Sequence, residues 1–341
     1  MTHHALPPRP APDRPLVIAV INNMPDSALR ATERHYCQLL GRASAGMTVD
    51  LRFYSVPAIA RGASECAHIA EYYDDFAKLA ATRPDGLIVT GAEPKFASLE
   101  QEAFWPALCA IADWTEGSAT PVIWSCLAAH AAIHHADGIE RQRLGAKLSG
   151  VFKCAITRKP HQILHGLPSS WRVPHSRLHG IRRRDLEANG YTVLSQSRRV
   201  GVDMFMRNSS AMQLYFQGHP EYDPATLLLE YRRDLLRTKQ RAAHKPPAMP
   251  HGLWGRAEYG RKGNEIAALY RNVEQPALAA HVGEMAQRIG PAGNWSGPAQ
   301  KIYANWLAYL HAHRNGRMRA SAGGAGAPYS QADAVASVVN A

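Results

Sequence analysis

Apolar positions along the first half of the chain fall into short β-type runs separated by longer helical faces. Leu16 to Ile21 is an unbroken apolar run, the pattern of a strand covered on both sides. Pro25 to Leu40 sets Leu29, Thr32, Tyr36, Leu39 and Leu40 on one helical face. Val49 to Phe53 alternates as a second strand, Ala67 to Leu79 reads as a helix, and Asp85 to Thr90 is a third strand stopped by Gly91. Phe104 to Trp114 is helical, Pro121 to Ser125 is a short apolar strand, and Leu127 to Ile133 follows as a helix of small residues. Strand–helix repeats of this length imply parallel strands joined by right-handed crossovers, an α/β doubly wound, mostly parallel sheet.

The rhythm changes after residue 170. Trp171 to Val173, Tyr191 to Leu194 and Val202 to Phe205 read as short strands between turns, antiparallel additions to the sheet. They lead to Met212, Leu214 and Phe216, which alternate as a half-buried strand. Asp223-Pro224 supplies an N-cap and a proline at the first helical position, opening a helix to about Arg241 with Leu227, Leu228 and Tyr231 inward. Residues 242–262 read as a Pro/Gly/His-rich surface stretch, followed by helices over Ile266 to Val273 and Pro298 to His313. This divides the chain into a Pro-rich leader (1–14), a catalytic α/β domain (15–242), a helical C-terminal extension packed on it (243–313) and a disordered tail (314–341).

Composition narrows the function classes. The 341 residues are 46% hydrophobic, and no apolar run is long enough to span a membrane. The first fourteen residues lack the apolar core of a secretory signal. Five cysteines, widely spaced and without a Cys-x-x-Cys pair, argue against a disulfide framework or a zinc ribbon and for a reducing cytoplasm. The formal charge of +11 is scattered apart from Arg182-Arg183-Arg184 and the stretch 232–241, with no nucleic-acid-binding signature. Neither nucleic acid nor a membrane is therefore expected as a partner. A phosphorylated cosubstrate such as coenzyme A also suits a positive field. The seventeen histidines form no metal-binding helix motif, so no metal is expected.

Two strand ends carry the chemistry. In Gln217-Gly218-His219-Pro220-Glu221-Tyr222-Asp223, His219 and Glu221 are two apart on extended backbone, so both point to the same side. Pro220 stiffens the segment, and a carboxylate beside an imidazole chooses its tautomer and orients it as a general base. Cys126 lies between a strand and a helix, the layout of a nucleophile elbow. The positive helix end beside the sulfur favours thiolate. The backbone N–H of Leu127 points where an oxyanion grows, with Ala92 after Gly91 as the second donor. Trp124 is bulky for an elbow. Gly91, Cys126 and His219 all fall at carboxyl ends of strands, where such sheets gather functional groups.

These motifs, in this order, resemble the homoserine O-acyltransferases of the homoserine O-succinyltransferase type, relatives of class I glutamine amidotransferases. The likeness runs from about residue 16 to 313. It includes Asn22-Asn23-Met24-Pro25, Gly86 to Ala92, the Cys126 elbow, Lys147 to Phe152, Pro174-His175-Ser176-Arg177, the His219 segment, Glu230-Tyr231 with Arg233-Asp234, and Asn305-Trp306-Leu307. The resemblance implies a Cys126–His219–Glu221 triad, with Lys147, Ser176, Arg233 and Glu230 binding the amino-acid acceptor. It implies acyl transfer from acyl-CoA, a co-substrate rather than a cofactor, to the hydroxyl of L-homoserine for methionine biosynthesis, and assembly as a homodimer. The family's acyl-discriminating position falls on Lys95, whose charge favours succinyl-CoA over acetyl-CoA, with Glu93 close by. Ser27 and Leu127 depart from the family pattern, and residues 250–293 carry none of the motifs that make the resemblance. An acetyl-CoA-dependent enzyme, a glutaminase-like amidohydrolase with the same triad, and a catalytically dead nucleic-acid-binding sheet domain are the competing readings.

Overall fold

The computed structural model describes residues 14–157, 161–241, 243–289 and 295–322. Most of the Pro-rich leader and residues 323–341 of the expected tail lie outside them. The parallel part of the fold is β1 (Leu16–Ile21), α1 (Asp26–Ala43), β2 (Val49–Tyr54), α2 (Ala63–Tyr72), α3 (Leu79–Thr82), β3 (Gly86–Val89), α4 (Trp105–Gly117), β4 (Val122–Ser125) and α5 (Leu127–Asp137). Next come β5 (Gln142–Ile156), β6 (Ser170–Gly180), α6 (Arg183–Ala188), β7 (Thr192–Ser197), β8 (Gly201–Asn208) and β9 (Met212–Phe216). The chain continues through α7 (Pro224–Gln240), α8 (Arg256–Asn272), α9 (Gln275–Arg288) and α10 (Ser296–Ala322).

Among the described residues the strands form one nine-stranded sheet in the order β2-β1-β3-β4-β9-β8-β7-β5-β6. The first five are parallel and the last four antiparallel. The doubly wound α/β expectation therefore stands, and the parallel half has the flavodoxin-like order, which opens a crevice at the carboxyl ends of its strands.

The apolar runs of the central strands reflect burial on both faces. Ile18 and Val20 face the layer of α1 and α10, while Ala19 and Ile21 face that of α4 and α5. The same holds for β9: Gln213 and Tyr215 are as buried as Met212, Leu214 and Phe216, so this strand is fully covered rather than half-buried. Its partners on both sides, β4 and β8, leave it central.

The expected helix over Ala67 to Leu79 is broken, because α2 ends at Tyr72 and a single 3-10 turn, Phe76–Lys78, precedes α3. The expected surface stretch 242–262 becomes helical at Arg256, and α8 and α9 pack with α7 around Leu227, Tyr270, Leu278 and Val282. The tail expected from residue 314 begins as the end of α10, which runs to Ala322. Arg314 is the reason at its start: its buried guanidinium donates to the Arg14 carbonyl and lies 3.8 Å from Asp85. Further back on α10, Asn305 holds the carbonyls of Ile163 and His165, while Trp306 and Leu307 enter the core.

Candidate active site

Cys126 stands between β4 and α5 with φ 52° and ψ −113°, the strained left-handed backbone of an elbow. Its N–H donates to the Phe216 carbonyl of β9 at 2.7 Å, and its carbonyl accepts from His130 one helical turn on. These two bonds hold the strained residue from both sides. Trp124 fits because its ring turns into the layer beneath α4 and α5, where its N–H reaches Gln213 at 2.9 Å.

Gly91, at the end of β3, approaches the Leu127 amide so closely that a Cβ there would lie 3.1 Å from that nitrogen. The Gly91-Ala92 turn and the Leu127 N–H are thus side by side, with Leu127 next to Cys126 in the chain. Asn23 donates its N–H to the Thr90 hydroxyl at 2.8 Å and so fixes the Asn22-Asn23-Met24-Pro25 turn against the same edge.

His219 follows β9 in a turn that leaves no room for a side chain at Gly218. A Cβ there would come within 3.0 Å of Val173, Asp203 and the Pro174 carbonyl. The His219 N–H donates to Pro174, and its Nδ1 lies 2.8 Å from Glu221 Oε1. Both side chains are buried. The Cys126 sulfur lies close enough to act on the charge of this ring. Burial works against a charged imidazole, but the charges of Glu221 and Cys126 outweigh it and raise His219 well above its ordinary value. Burial, and after it the Glu221 charge, keeps the hydroxyls of Tyr36 and Tyr303 protonated nearby. The Tyr222 ring stacks on His219 with centroids 4.2 Å apart.

Behind this group lies a buried polar layer that the sequence reading did not single out. His130 Nε2 is 3.1 Å from Gln217 Oε1, and Gln217 Nε2 donates to the Val202 carbonyl at 2.8 Å. The pair ties the helix of the nucleophile to the strand end of the base. The available signal was spacing, since His130 is four residues past Cys126 and Gln217 two before His219. Burial pushes His130 down to about 3, so it is a neutral ring at working pH.

A neutral buried histidine makes stability fall with acid, because the unfolded chain takes up the proton first. From its ordinary value of 6.5 downward, His130 alone should cost about 2 kcal/mol between pH 7 and pH 5. His130→Gln should keep a hydrogen bond to Gln217 and remove that share of the decline in urea unfolding. An equal decline in the variant would contradict the assignment.

A second cysteine–histidine–acid cluster, Cys154, His175 and Asp203, has its ligand atoms within 4.8 Å of one another and is fully buried. Arg177 Nε donates to His175 Nδ1 at 3.2 Å, and His175 Nε2 lies 3.2 Å from Asp203 Oδ1 without the alignment of a hydrogen bond. Burial raises the Cys154 thiol, and no substrate reaches it. Beneath the Gly218 turn this cluster keeps His175 Nε2 and both Asp203 oxygens without a hydrogen-bond partner among the described residues. Its Pro-His-Ser-Arg strand is what the His219 amide rests on.

The residues expected at the acceptor occupy the α7 side of the rim. Lys147 Nζ is 2.5 Å from Asp234 Oδ2, and Arg233 Nε lies 3.7 Å from Asp234 Oδ1. Glu230 accepts from the Tyr222 hydroxyl at 3.0 Å, while its Oε2 is buried without a protein partner. Ser176 faces Ser149 across the β5–β6 ladder, two residues from Lys147. Glu230 and Arg233, three apart on α7, do not pair with each other: Glu230 meets Tyr222, and Arg233 Nε lies beside Asp234 without a hydrogen bond. Lys95 is exposed, with its N–H and that of Phe96 pinned by Glu102 at 2.7 Å. Within the same loop it is Glu93 that reaches the rim, paired with Arg237.

Fold and site together define a doubly wound α/β protein with a cysteine elbow and a His–Glu pair on one strand edge. The sequence model of the homoserine O-succinyltransferase family matches residues 10–316. A homoserine O-succinyltransferase from Methylorubrum extorquens is 42% identical over 297 residues, covering 87% of this chain and 88% of that protein. Those from Bradyrhizobium japonicum and Rhodopseudomonas palustris are 41% and 40% identical, over 86% and 90% of this chain and 90% and 92% of their own. The chain belongs to the homoserine O-succinyltransferase family.

Proposed function

We propose that this protein transfers a succinyl group from succinyl-CoA to the hydroxyl of L-homoserine through an acyl-enzyme on Cys126. The observation that carries the reading is the meeting of Cys126, on a strained elbow, with the buried His219–Glu221 pair. The Cys126 thiolate attacks the thioester carbonyl, whose oxygen takes the negative charge facing the N–H groups of Leu127 and Ala92. Coenzyme A leaves as its thiolate and takes a proton from His219, which leaves a succinyl thioester on the enzyme. Neutral His219 then accepts the proton of the homoserine hydroxyl as that oxygen attacks the thioester. Collapse releases O-succinylhomoserine and restores the thiolate beside a protonated ring.

Glu221 holds Nδ1 so that Nε2 faces the reacting groups, a tautomer set by the 2.8 Å contact. The acceptor's two charges match the α7 face, with the Arg233 guanidinium for the α-carboxylate and the Glu230 carboxylate for the α-ammonium. Lys147 on β5 and Ser176 on β6 complete that side. No cofactor or metal enters the scheme, and no described helix is long and apolar enough to cross a membrane.

The direct assay mixes the protein with succinyl-CoA and homoserine, and separately with glutamine. Free thiol should appear in the first mixture, in step with O-succinylhomoserine. Ammonia release from glutamine, without thiol release from succinyl-CoA, would instead identify an amidohydrolase.

A further inference from the structure

The rim beyond the triad carries three cations and three carboxylates, and their pairing leaves one cation in an exchangeable partnership. Arg233 and Glu230 face the acceptor's charges in the reading above. Lys147 is committed to Asp234 at 2.5 Å. Arg237, one turn beyond Arg233 on α7, holds Glu93 in a fork: both terminal guanidinium nitrogens donate, one to each carboxylate oxygen. Glu93 follows Gly91 by two residues, at most about 7 Å of extended chain. Gly91 itself abuts the Leu127 amide. The loop therefore leads from the oxyanion site directly to the Arg237 guanidinium.

The chemistry of the donor requires a partner here. A succinyl group on Cys126 carries its far carboxylate two methylenes beyond the thioester carbonyl, and a bare Glu93 on that loop would repel it. Glu93 is not bare: the Arg237 hydrogen bonds, joined by the charges of Arg233 and Lys147, hold its carboxyl below the usual carboxylate range. The Glu93 and Arg237 side chains are 36% and 47% exposed. A half-exposed ion pair contributes little to stability, so one carboxylate can replace another at modest cost. A guanidinium fork fits a substrate carboxylate as well as it fits Glu93.

We propose that Arg237 is the cation that reads the distal carboxylate of the acyl donor. Glu93 is its internal counter-ion, holding the guanidinium across the rim until the donor's carboxylate takes its place and leaves Glu93 to the charges of Arg233 and Lys147. This rests on the succinyl-transfer reading and moves donor discrimination from Lys95 to a residue on α7. An acetyl group, with no carboxylate, leaves the Glu93–Arg237 pair closed and draws nothing from it.

The test is steady-state thiol release from succinyl-CoA and from acetyl-CoA at saturating homoserine, for wild type, Arg237→Gln, Arg237→Lys and Glu93→Gln. Arg237→Gln should lower kcat/KM for succinyl-CoA about 10- to 100-fold, the worth of a hydrogen bond to a charged group, and leave that for acetyl-CoA nearly unchanged. Arg237→Lys should recover part of the loss. Glu93→Gln should lower KM for succinyl-CoA, since the competing carboxylate is gone. Equal losses with both donors in Arg237→Gln, or an unchanged ratio between them, would overturn the proposal while leaving the transferase reading intact. A wild-type protein that releases no thiol from either donor would overturn the transferase reading itself, and this proposal with it.

Discussion

Replacing Cys126 with alanine is expected to abolish acyl-enzyme formation and to bring thiol release from acyl-CoA to background. No other described cysteine can stand in. Cys154 is buried and its thiol is raised by that burial, while Cys37, Cys66 and Cys109 have no place at the strand edge beside His219. The variant should fold, and it sheds a left-handed backbone conformation only if the elbow relaxes. Cys126→Ser separates geometry from nucleophile strength: the hydroxyl keeps the size and position of the thiol but is a far weaker nucleophile at neutral pH. Its turnover should be close to that of the alanine variant. Near-normal turnover in either would refute the assignment.

The second large effect is at His219. His219→Asn keeps a polar group in the Gly218 turn and removes the proton acceptor, so the rate should fall by about 10²–10⁴. Glu221→Gln acts through the same ring and has a pH signature. In the free enzyme the imidazole is raised well above its ordinary value: burial opposes the proton, and Glu221 and Cys126 more than compensate. After acylation the thiolate and its share of the upward shift are gone, but Glu221 still favours the protonated ring against burial, so base catalysis of the second step is lost as pH falls and the ring takes up its proton. Glu221→Gln removes the charge and leaves burial dominant, which lowers the value. The acid limb of deacylation should therefore move to lower pH, while the plateau drops because the tautomer is no longer held. Single-turnover decay of acyl-enzyme across pH reads both changes. A drop in the plateau with an unmoved acid limb would mean that Glu221 does not set the proton affinity of His219.

Much of this arrangement is legible in the sequence. Leu29, Tyr36 and Leu40 recur at helical spacing, and all are buried against the sheet. The strand ends at Gly91, Cys126 and His219 could be placed on one edge because parallel strands share their carboxyl side. What was not legible has physical reasons. β5 alternates only towards its two ends, over Gln142 to Gly145 and Phe152 to Ala155, and its pairing shifts register between Arg143 and Leu148, so its period-two signal is broken where Lys147 lies. α8 buries little beyond Ile266 and Tyr270, too few contacts to leave a helical stripe over its seventeen residues.

The polar layer beneath the site had only weak local signals. His130 lies on a helix of alanines, where a lone imidazole looks incidental until Gln217, 87 residues away, is brought beside it. Glu93 and Arg237 are 144 residues apart, and nothing in either neighbourhood announces the other. The resemblance assigns acyl discrimination to Lys95; in the fold that side chain is exposed, and its loop neighbour Glu93 pairs with Arg237 on α7.

The measurement that bears most directly on the central claim is intact-protein mass spectrometry after brief mixing with succinyl-CoA in the absence of homoserine, followed by peptide mapping. A gain of one succinyl group on the peptide that contains Cys126, discharged when homoserine is added and absent from Cys126→Ala, is the predicted result. A protein that stays unmodified while still turning over, or that carries the acyl group on a different residue, would contradict it.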